Sequence, residues 1–239
     1  MAKQKEKTVW FCNECGADSP KWVGRCPACG AWNTMVEERV TPKSADSWSG
    51  SPRKGGIVQR TSPQRVSEIK AGDETRIHMP SEELNRVLGG GLVSGSMVLV
   101  GGEPGIGKST LVLQNILSIK SRRILYVSGE ESPQQIRLRA DRIGRLSDNC
   151  YIVTETSLEN IFEHIREIEP QLLIVDSIQT VASDALESAA GSVSQVRECA
   201  ARLLRYAKTE NVPVLLIGHI NKEGTLAGPK VLELSLIHI

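Results

Sequence analysis

Gly102-Glu-Pro-Gly-Ile-Gly-Lys-Ser-Thr110 is the stretch that decides the fold of this chain. Its spacing, G-x-x-x-x-G-K-[ST], is that of a loop that wraps nucleotide phosphates. The apolar run Met97–Gly101 precedes it and favours a buried strand, and an apolar helical pattern follows from Ser109. A glycine-rich connector that merely turns the chain would not need Gly-Lys-Ser at the start of a helix. The stretch therefore predicts a P-loop between a strand and a helix.

The residue types in this loop suit a nucleoside triphosphate such as ATP. Glycines let backbone N–H groups turn toward phosphate oxygens, and the helix N-terminus adds its positive end. Lys108 is predicted to reach the β- and γ-phosphates, and the Ser109 hydroxyl is predicted to bind Mg²⁺. The predicted nucleotide-binding residues of the loop are Gly102, Glu103, Pro104, Gly105, Ile106, Gly107, Lys108, Ser109 and Thr110.

Strands and helices alternate after this loop. Apolar runs predict strands at Ile124–Ser128, Tyr151–Val153, Leu172–Asp176 and Val214–Gly218. Start signals predict helices from Ser132, Ser157 and about Val193. This alternation predicts an α/β fold with a mostly parallel sheet and helices on both faces. Ligands of such sheets bind beyond the carboxyl ends of the strands.

Three of the predicted strands have a polar side chain at or just after their carboxyl end. Asp176 ends an apolar strand and is predicted to complete the Mg²⁺ site with Ser109, a helix cap being the alternative. A carboxylate at Glu130 can activate the water that attacks the γ-phosphate, but the sequence does not separate Glu130 from Glu131. His219 either senses the γ-phosphate or has a structural role.

Cysteines near the N-terminus form two C-x-x-C pairs, a spacing that predicts a closed tetrahedral Zn²⁺ site without an open position for catalysis. The predicted ligands are Cys12, Cys15, Cys26 and Cys29. About 30 residues bury too little apolar surface to fold unaided, so the metal is expected to stabilise this zinc ribbon. Its small core is expected to come from Trp10, Trp22 and Trp32.

The composition of the chain argues against several classes of protein. With 29 Lys+Arg against 28 Asp+Glu, the overall charge does not indicate a nucleic-acid binder. Aromatic residues make up 4% of the chain, which argues against a base-stacking sheet. The chain is predicted to be cytoplasmic and not bound to a membrane, because it has neither a signal peptide nor an apolar run of membrane-spanning length. The arginines after Ser132 are expected to form a solvated face: Arg137, Arg139, Arg142 and Arg145.

Further stretches resemble a known family when they are combined with the P-loop and the cysteine pairs. They are Leu84-Asn-Arg-Val-Leu-Gly-Gly-Gly-Leu92, Tyr126-Val-Ser-Gly-Glu-Glu-Ser132 and Gly218-His-Ile-Asn-Lys-Glu-Gly224. Over about residues 8–233 the chain resembles bacterial RadA (Sms) proteins, a family of RecA-like DNA repair ATPases. The resemblance implies a homo-hexamer, when full length, that hydrolyses ATP on single-stranded DNA and promotes branch migration on branched DNA. A recombinase or a replicative helicase would be its protein partner.

The resemblance also implies roles for single residues. It places Lys108 and Ser109 at the phosphates and Mg²⁺, Asp176 at the same Mg²⁺, and Glu130 at the attacking water. The loops at residues 182–194 and 220–230 correspond to DNA-facing loops, which makes the second loop's lysines candidate phosphate contacts: Lys222 and Lys230. From composition alone, the same loops fit mobile surface segments almost equally well.

The predicted organisation follows from these motifs. Residues 1–39 form the zinc ribbon, the Ser-, Pro- and Gly-rich residues 40–66 form a flexible basic linker, and residues 67–233 form the RecA-like ATPase core. The family continues past Glu233 with a further strand, a Lys-Asn-Arg-Phe-Gly motif and a Lon-protease-like domain, whereas residues 234–239 do not fit it. A chain of this extent is expected to bind nucleotide and zinc, with turnover dependent on parts that lie beyond Glu233.

Two other functions fit the same motifs. One is a non-motor ring or scaffold that ATP switches, which would keep the P-loop without any dependence on DNA. The other treats the zinc ribbon as a docking module that recruits repair proteins, and it is compatible with either kind of ATPase. A dinucleotide fingerprint at Gly89–Gly91 is not expected, because no strand leads into these glycines and no helix follows them.

Overall fold

An antiparallel sheet carries the N-terminal cysteines. The computed structural model of the chain describes residues 7–40, 65, 67, 76–219 and 237–238. In the first segment, strands β1 (Lys7–Cys12), β2 (Asp18–Ser19) and β3 (Met35–Val40) form a sheet in the order β2-β1-β3. Both pairings are antiparallel. The sheet brings the two ends of this segment together around the cysteine pairs.

Cysteines fill the centre of this N-terminal segment. Its buried hydrophobic residues are Cys12, Cys26 and Met35, and Trp10 packs against them. Trp22 and Trp32 are 54% and 69% exposed. The prediction that all three tryptophans form the small core is therefore wrong for these two, because the thiol cluster occupies the space where a core would otherwise form.

A glycine turn joins two short elements before the main sheet. Strand β4 (Arg76–Ile77) pairs antiparallel with β5 (Leu92–Val93), and helix α1 (Glu82–Val87) lies between them. Gly89, Gly90 and Gly91 all have positive φ, at 68°, 108° and 126°. They follow a helix and lead into a strand, which agrees with the prediction that they form no dinucleotide fingerprint.

Replacing Gly91 by alanine is expected to destabilise the fold. The new Cβ would lie 2.6 Å from the Ile77 carbonyl oxygen, in addition to the strain of a positive φ. Gly144→Ala is the matched control, because its φ is +74° but no atom lies within 4 Å of an added Cβ. The control carries the strain of a left-handed residue, about 1–2 kcal/mol, without any clash. In urea unfolding, Gly91→Ala should lose at least ~1 kcal/mol more than Gly144→Ala; equal losses would contradict the proposed clash.

A parallel sheet forms the centre of the described residues from 97 onward. Its strands are β6 (Met97–Gly102), β7 (Ile124–Ser128), β8 (Cys150–Thr154), β9 (Leu172–Asp176), β10 (Val214–His219) and β11 (Ile237–His238). They lie in the order β11-β6-β10-β9-β7-β8, and every pairing is parallel. The α/β fold with a mostly parallel sheet is thus confirmed.

Helices cover both faces of this sheet. Helices α2 (Lys108–Ile116) and α3 (Pro133–Ile143) share one apolar core with α1, whereas α4 (Leu158–Ile168) and α5 (Val193–Glu210) share the other. Successive strand residues alternate between the cores: Ile124 and Tyr126 face the first, and Leu125 and Val127 face the second. Among the described helices, none combines the length and apolar character needed to cross a membrane.

Local signals set the helix boundaries. Ser132 accepts a hydrogen bond from the Gln135 N–H, the Gln135 side chain bonds back to Ser132, and Pro133 opens α3. Gly144 ends this helix in the left-handed conformation. Serines also cap α4 and α5, through Ser157 and Ser192. Because β7, β9 and β10 pair in parallel, their carboxyl ends lie at one edge of the sheet.

Candidate nucleotide site and metal centre

The P-loop connects the end of β6 to the start of α2, as predicted. Its last glycine, Gly107, caps α2 in the left-handed conformation with φ 96°, and no side chain occupies the helix N-terminus. The N–H groups of the first turn therefore remain for a ligand. Space is tight at the other end, where a Cβ on Gly102 would lie 2.7 Å from Ile106 Cδ1. The loop has the form of a phosphate cradle.

Lys108 folds back over this loop. Its side chain is buried, and its Nζ donates to the carbonyl oxygens of Gly102 at 2.9 Å and Glu103 at 2.8 Å. A third contact, at 3.4 Å, joins Nζ to Nδ1 of His219 at the end of β10. The ammonium group thus already lies inside the cradle, held by groups that phosphate oxygens would replace.

His219 connects the lysine to an acidic side chain. Because an ammonium group only donates, Nδ1 of His219 accepts and its proton lies on Nε2 in the neutral ring. Nε2 lies 3.2 Å from Oε1 of Glu130 and donates to it. Ser177 Oγ donates to the same oxygen at 2.7 Å. The P-loop, the end of β10 and the segments that directly follow β7 and β9 therefore contribute to one continuous hydrogen-bonded network.

The two neighbouring glutamates have different surroundings. Burial alone would raise the pKa of Glu130, but hydrogen bonds from Ser177 and His219 and the charge of Lys108 hold it below its ordinary value. Glu131 instead pairs with Arg139, and its N–H donates to Ser128 Oγ. The structure therefore brings Glu130, and not Glu131, to the lysine and histidine.

One expectation from the sequence changes here. Arg139 is not part of a solvated face, because its side chain is 16% exposed and its guanidinium pairs with Glu131.

A cavity of about 340 Å³ opens beside Glu130, lined by residues at the ends of β7 and β8 that include Gly129, Glu131 and Thr154. Water therefore reaches the Glu130 carboxylate.

Asp176 lies at the end of β9, beside the network. It is 8% exposed, and its Oδ2 accepts a hydrogen bond from the Tyr126 hydroxyl at 2.5 Å. Burial, and then the charge of Asp176, raise the pKa of Tyr126, so the phenol stays protonated and donates. Sequence reasoning missed Tyr126 because a tyrosine in an apolar strand fits a core residue equally well.

The donor set of this edge fits a magnesium ion. The hydroxyl of Ser109 is in the first turn of α2, and the carboxylate of Asp176 ends β9. Oxygen donors of these two types are the ones that Mg²⁺ takes beside nucleotide phosphates. The magnesium roles of Ser109 and Asp176 and the γ-phosphate role of His219 stay predictions.

A buried amide anchors the segment between β9 and α5. Gln195, 1% exposed, accepts from the Ser183 N–H at 2.8 Å and donates to the carbonyls of Ser183, Leu186 and Ser188. Such anchoring favours a fixed conformation for residues 183–188 over a mobile loop. The predicted contact between the loop at residues 182–194 and DNA stays a prediction. Residues 220–230, with the candidate contacts Lys222 and Lys230, lie outside the described residues.

The four N-terminal cysteines form a compact sulfur cluster. All four Sγ atoms lie within 4.8 Å of one another. Tetrahedral Zn²⁺ with bonds of ~2.3 Å requires sulfur atoms about 3.8 Å apart. The Sγ distances are 3.7 Å for Cys12–Cys29 and 3.6 Å for Cys15–Cys26, so the thiols fit zinc.

Backbone N–H groups favour the thiolate form at one of these cysteines, Cys26. N–H groups of Cys29 and Ala28 lower the pKa of Cys26 to about 6, which favours the thiolate that binds zinc. Gly16 and Gly30 close the two turns with φ 69° and 77°. The Gly16 carbonyl also accepts a hydrogen bond from Arg197 of α5.

Comparison with known families agrees with both sites. Residues 63–225 match the family described as AAA domain, and residues 10–37 match the rubredoxin metal binding domain. The chain therefore belongs to the AAA-domain family, with an ATP-binding P-loop and a zinc ribbon.

Its similarity to RadA proteins is also confirmed. It is 50% identical to DNA repair protein RadA of Halalkalibacterium halodurans over 96% of this chain, and 49% identical to that of Bacillus subtilis over 98%. The RadA protein of Pseudomonas aeruginosa is 49% identical over 96%. The chain spans about half the length of these curated relatives.

Proposed function

We propose that this chain provides the ATP-hydrolysing part of a DNA repair and recombination motor. The single observation that carries the proposal is the network in which His219 joins Lys108 to Glu130. The network connects the phosphate-binding lysine to the water-activating glutamate. It also ends on β10, directly before residues 220–230, the predicted DNA-facing loop. The name DNA repair protein that its relatives carry supports the assignment to repair.

The chemistry follows from the positions of the side chains. Phosphate oxygens replace the carbonyl groups that now hold the Lys108 ammonium, and the N–H groups at the start of α2 bind the same phosphates. Mg²⁺, held through Ser109 and Asp176, would neutralise charge that develops on the phosphates. The Glu130 carboxylate orients a water molecule toward the γ-phosphate and accepts its proton.

His219 would report the state of the phosphates. When Lys108 turns to a nucleotide, the histidine loses its contact at Nδ1, and its contact with Glu130 through Nε2 changes with it. Because His219 ends β10, this change passes directly to the segment that follows. In a full-length homo-hexamer, Lys222 and Lys230 would contact single-stranded or branched DNA there. A recombinase or replicative helicase would act with such a motor.

Replacing Lys108 by alanine is expected to abolish coupling between nucleotide and DNA. In the unchanged chain, a non-hydrolysable ATP analogue should change the affinity for a fluorescent single-stranded oligonucleotide by about 5- to 150-fold, a typical coupling between two sites. Lys108→Ala should bind DNA equally well with and without the analogue. Lys120→Ala is the matched control, since Lys120 is exposed and lies beyond the end of α2. Fluorescence anisotropy measures all three chains.

The same measurement distinguishes the alternative function. If the unchanged chain binds the analogue but its DNA affinity does not respond, the motor proposal fails. A non-motor ring or scaffold that ATP switches would then describe the chain, because such a protein keeps the P-loop without dependence on DNA. Coupling that persists in Lys108→Ala would contradict the role given to this lysine.

A further inference from the structure

We infer that Tyr126 is a positioning residue for the magnesium site, a role that rests on the proposed function and refines it. Tyr126 does not line the P-loop and is 1% exposed in the apolar core between the sheet and α3. Its hydroxyl nevertheless donates to Oδ2 of Asp176 at 2.5 Å. Through this contact the core fixes the orientation of a carboxylate at the site.

Strand register explains how the tyrosine reaches the site. In the parallel pair of β7 and β9, Tyr126 lies opposite Ile174, and Ser128 lies opposite Asp176. Tyr126 and Asp176 are thus diagonal neighbours, two positions apart along the strands. Alternate residues of a strand point to the same face. An aromatic side chain is long enough to span such a diagonal, and here its polar end meets the last residue of β9.

The hydroxyl has no packing advantage at this position. Phenylalanine would fill the same apolar space, whereas a buried hydroxyl costs free energy unless it is hydrogen-bonded. A phenol carries a single O–H proton, so it engages one carboxylate oxygen of Asp176 and leaves the second oxygen without a bond to the phenol. Partners of this kind hold a metal ligand in one orientation. Tyr126 therefore raises magnesium affinity by fixing the Asp176 carboxylate before the metal binds.

Tyr126→Phe tests this role through the magnesium dependence of nucleotide binding. The probe is a fluorescent, non-hydrolysable ATP analogue titrated with Mg²⁺. The variant should need about 10-fold more Mg²⁺ for half-maximal binding, in line with the loss of a partner that orients a metal ligand. Its affinity for the analogue in excess EDTA should match that of the unchanged chain, because the phenol does not touch the P-loop. An unchanged magnesium midpoint would overturn the inference.

Tyr206→Phe is the matched control. Tyr206 is another buried tyrosine, but it belongs to α5 and the core on the opposite face of the sheet. This variant should keep the magnesium midpoint whatever its effect on stability. An equal shift in both variants would show a general effect of losing a buried hydroxyl and would overturn the inference. If nucleotide binding by the unchanged chain ignores Mg²⁺, the proposed metal site itself fails.

A spectroscopic measurement avoids any change at Tyr126. The chain has three tyrosines, so Tyr151→Phe combined with Tyr206→Phe leaves Tyr126 as the sole one. Its ¹³Cζ signal in NMR reports the hydrogen bond of the phenol. Adding Mg²⁺ to this variant with bound analogue should shift that signal, because the metal withdraws charge from Asp176. A signal that does not respond while Mg²⁺ tightens analogue binding would contradict the inference.

Discussion

Replacing Glu130 by glutamine is expected to lower ATP turnover by about 10²- to 10⁴-fold, the range for loss of a general base. Glutamine keeps the size of the side chain and a hydrogen-bond acceptor, but it cannot take a proton from water. Binding of a non-hydrolysable analogue should persist, because the P-loop groups that hold the phosphates are unchanged. Phosphate release and analogue affinity, measured on the same preparation, separate the two effects.

Glu131→Gln provides the matched control for this experiment. Glu131 is the next residue, but its carboxylate pairs with Arg139 and not with His219 or Ser177. Its loss should affect stability and leave turnover close to that of the unchanged chain. If Glu131→Gln loses turnover and Glu130→Gln keeps it, the assignment of the base is wrong. Because the chain spans about half the length of its relatives, turnover is measured on a chain extended to their full length, and no turnover there would contradict the proposed ATPase itself.

The pKa of Glu130 determines how readily its carboxylate accepts a proton. Burial raises this pKa, but hydrogen bonds from Ser177 and His219 and the charge of Lys108 outweigh burial and lower it. The contribution of these contacts to stability is present at neutral pH and is lost as the pH falls through the lowered pKa. A depressed pKa also makes the carboxylate a weak base. Under the proposed function, Glu130 would lose part of that stabilisation when Lys108 turns to the phosphates, and it would become a better base.

The elements were predictable where their signals are local. The capping box of Ser132 and Gln135, with Pro133 at the first helical position, gave the start of α3, and Gly144 gave its end. The predicted strand Leu172–Asp176 has the bounds of β9. Such signals depend on residues within a few positions of each other, so one sequence contains all of the information they need.

Contacts between distant segments were not predictable in the same way. Lys108 and His219 are 111 positions apart, and no pattern along the chain indicates that a histidine bridges the lysine to Glu130. Glu130 and Glu131 share the same local sequence, and only the packing of α3 gives one of them an arginine partner. Tyr126 was missed for the same reason, since its hydroxyl acts across two strands.

The zinc ribbon illustrates a different limit. The spacing of the cysteines was sufficient to predict a site whose four Sγ atoms lie within 4.8 Å of one another. The same sequence led to an apolar core of tryptophans, and the exposed side chains of Trp22 and Trp32 contradict it. In a segment this small, metal binding supplies the stability that an apolar core gives to larger domains. A large hydrophobic side chain therefore need not be buried.

Replacing Cys26 by serine is expected to release zinc and unfold residues 8–37 while the AAA domain stays folded. Zinc binding contributes about 10–16 kcal/mol to small domains of this type, far more than their apolar contacts provide. Cys26 is buried at the centre of the ribbon, and its lowered pKa favours the thiolate that binds zinc. Tryptophan emission reports this change mainly through Trp10, which packs against the cysteines, because three of the four tryptophans lie within residues 8–37 and the fourth is Trp48.

Cys150→Ser is the control for the loss of a thiol. Cys150 lies on β8 of the AAA domain, outside the four-cysteine cluster, and burial raises its pKa to about 12. This variant should keep its zinc and its tryptophan emission. Cys26→Ser that retains one equivalent of zinc would contradict the four-thiolate site.

Because Arg197 of α5 donates to the Gly16 carbonyl, hydrogen exchange at the start of α5 should rise in Cys26→Ser alone. Such a change would show that the metal in the ribbon also orders the adjoining surface of the ATPase.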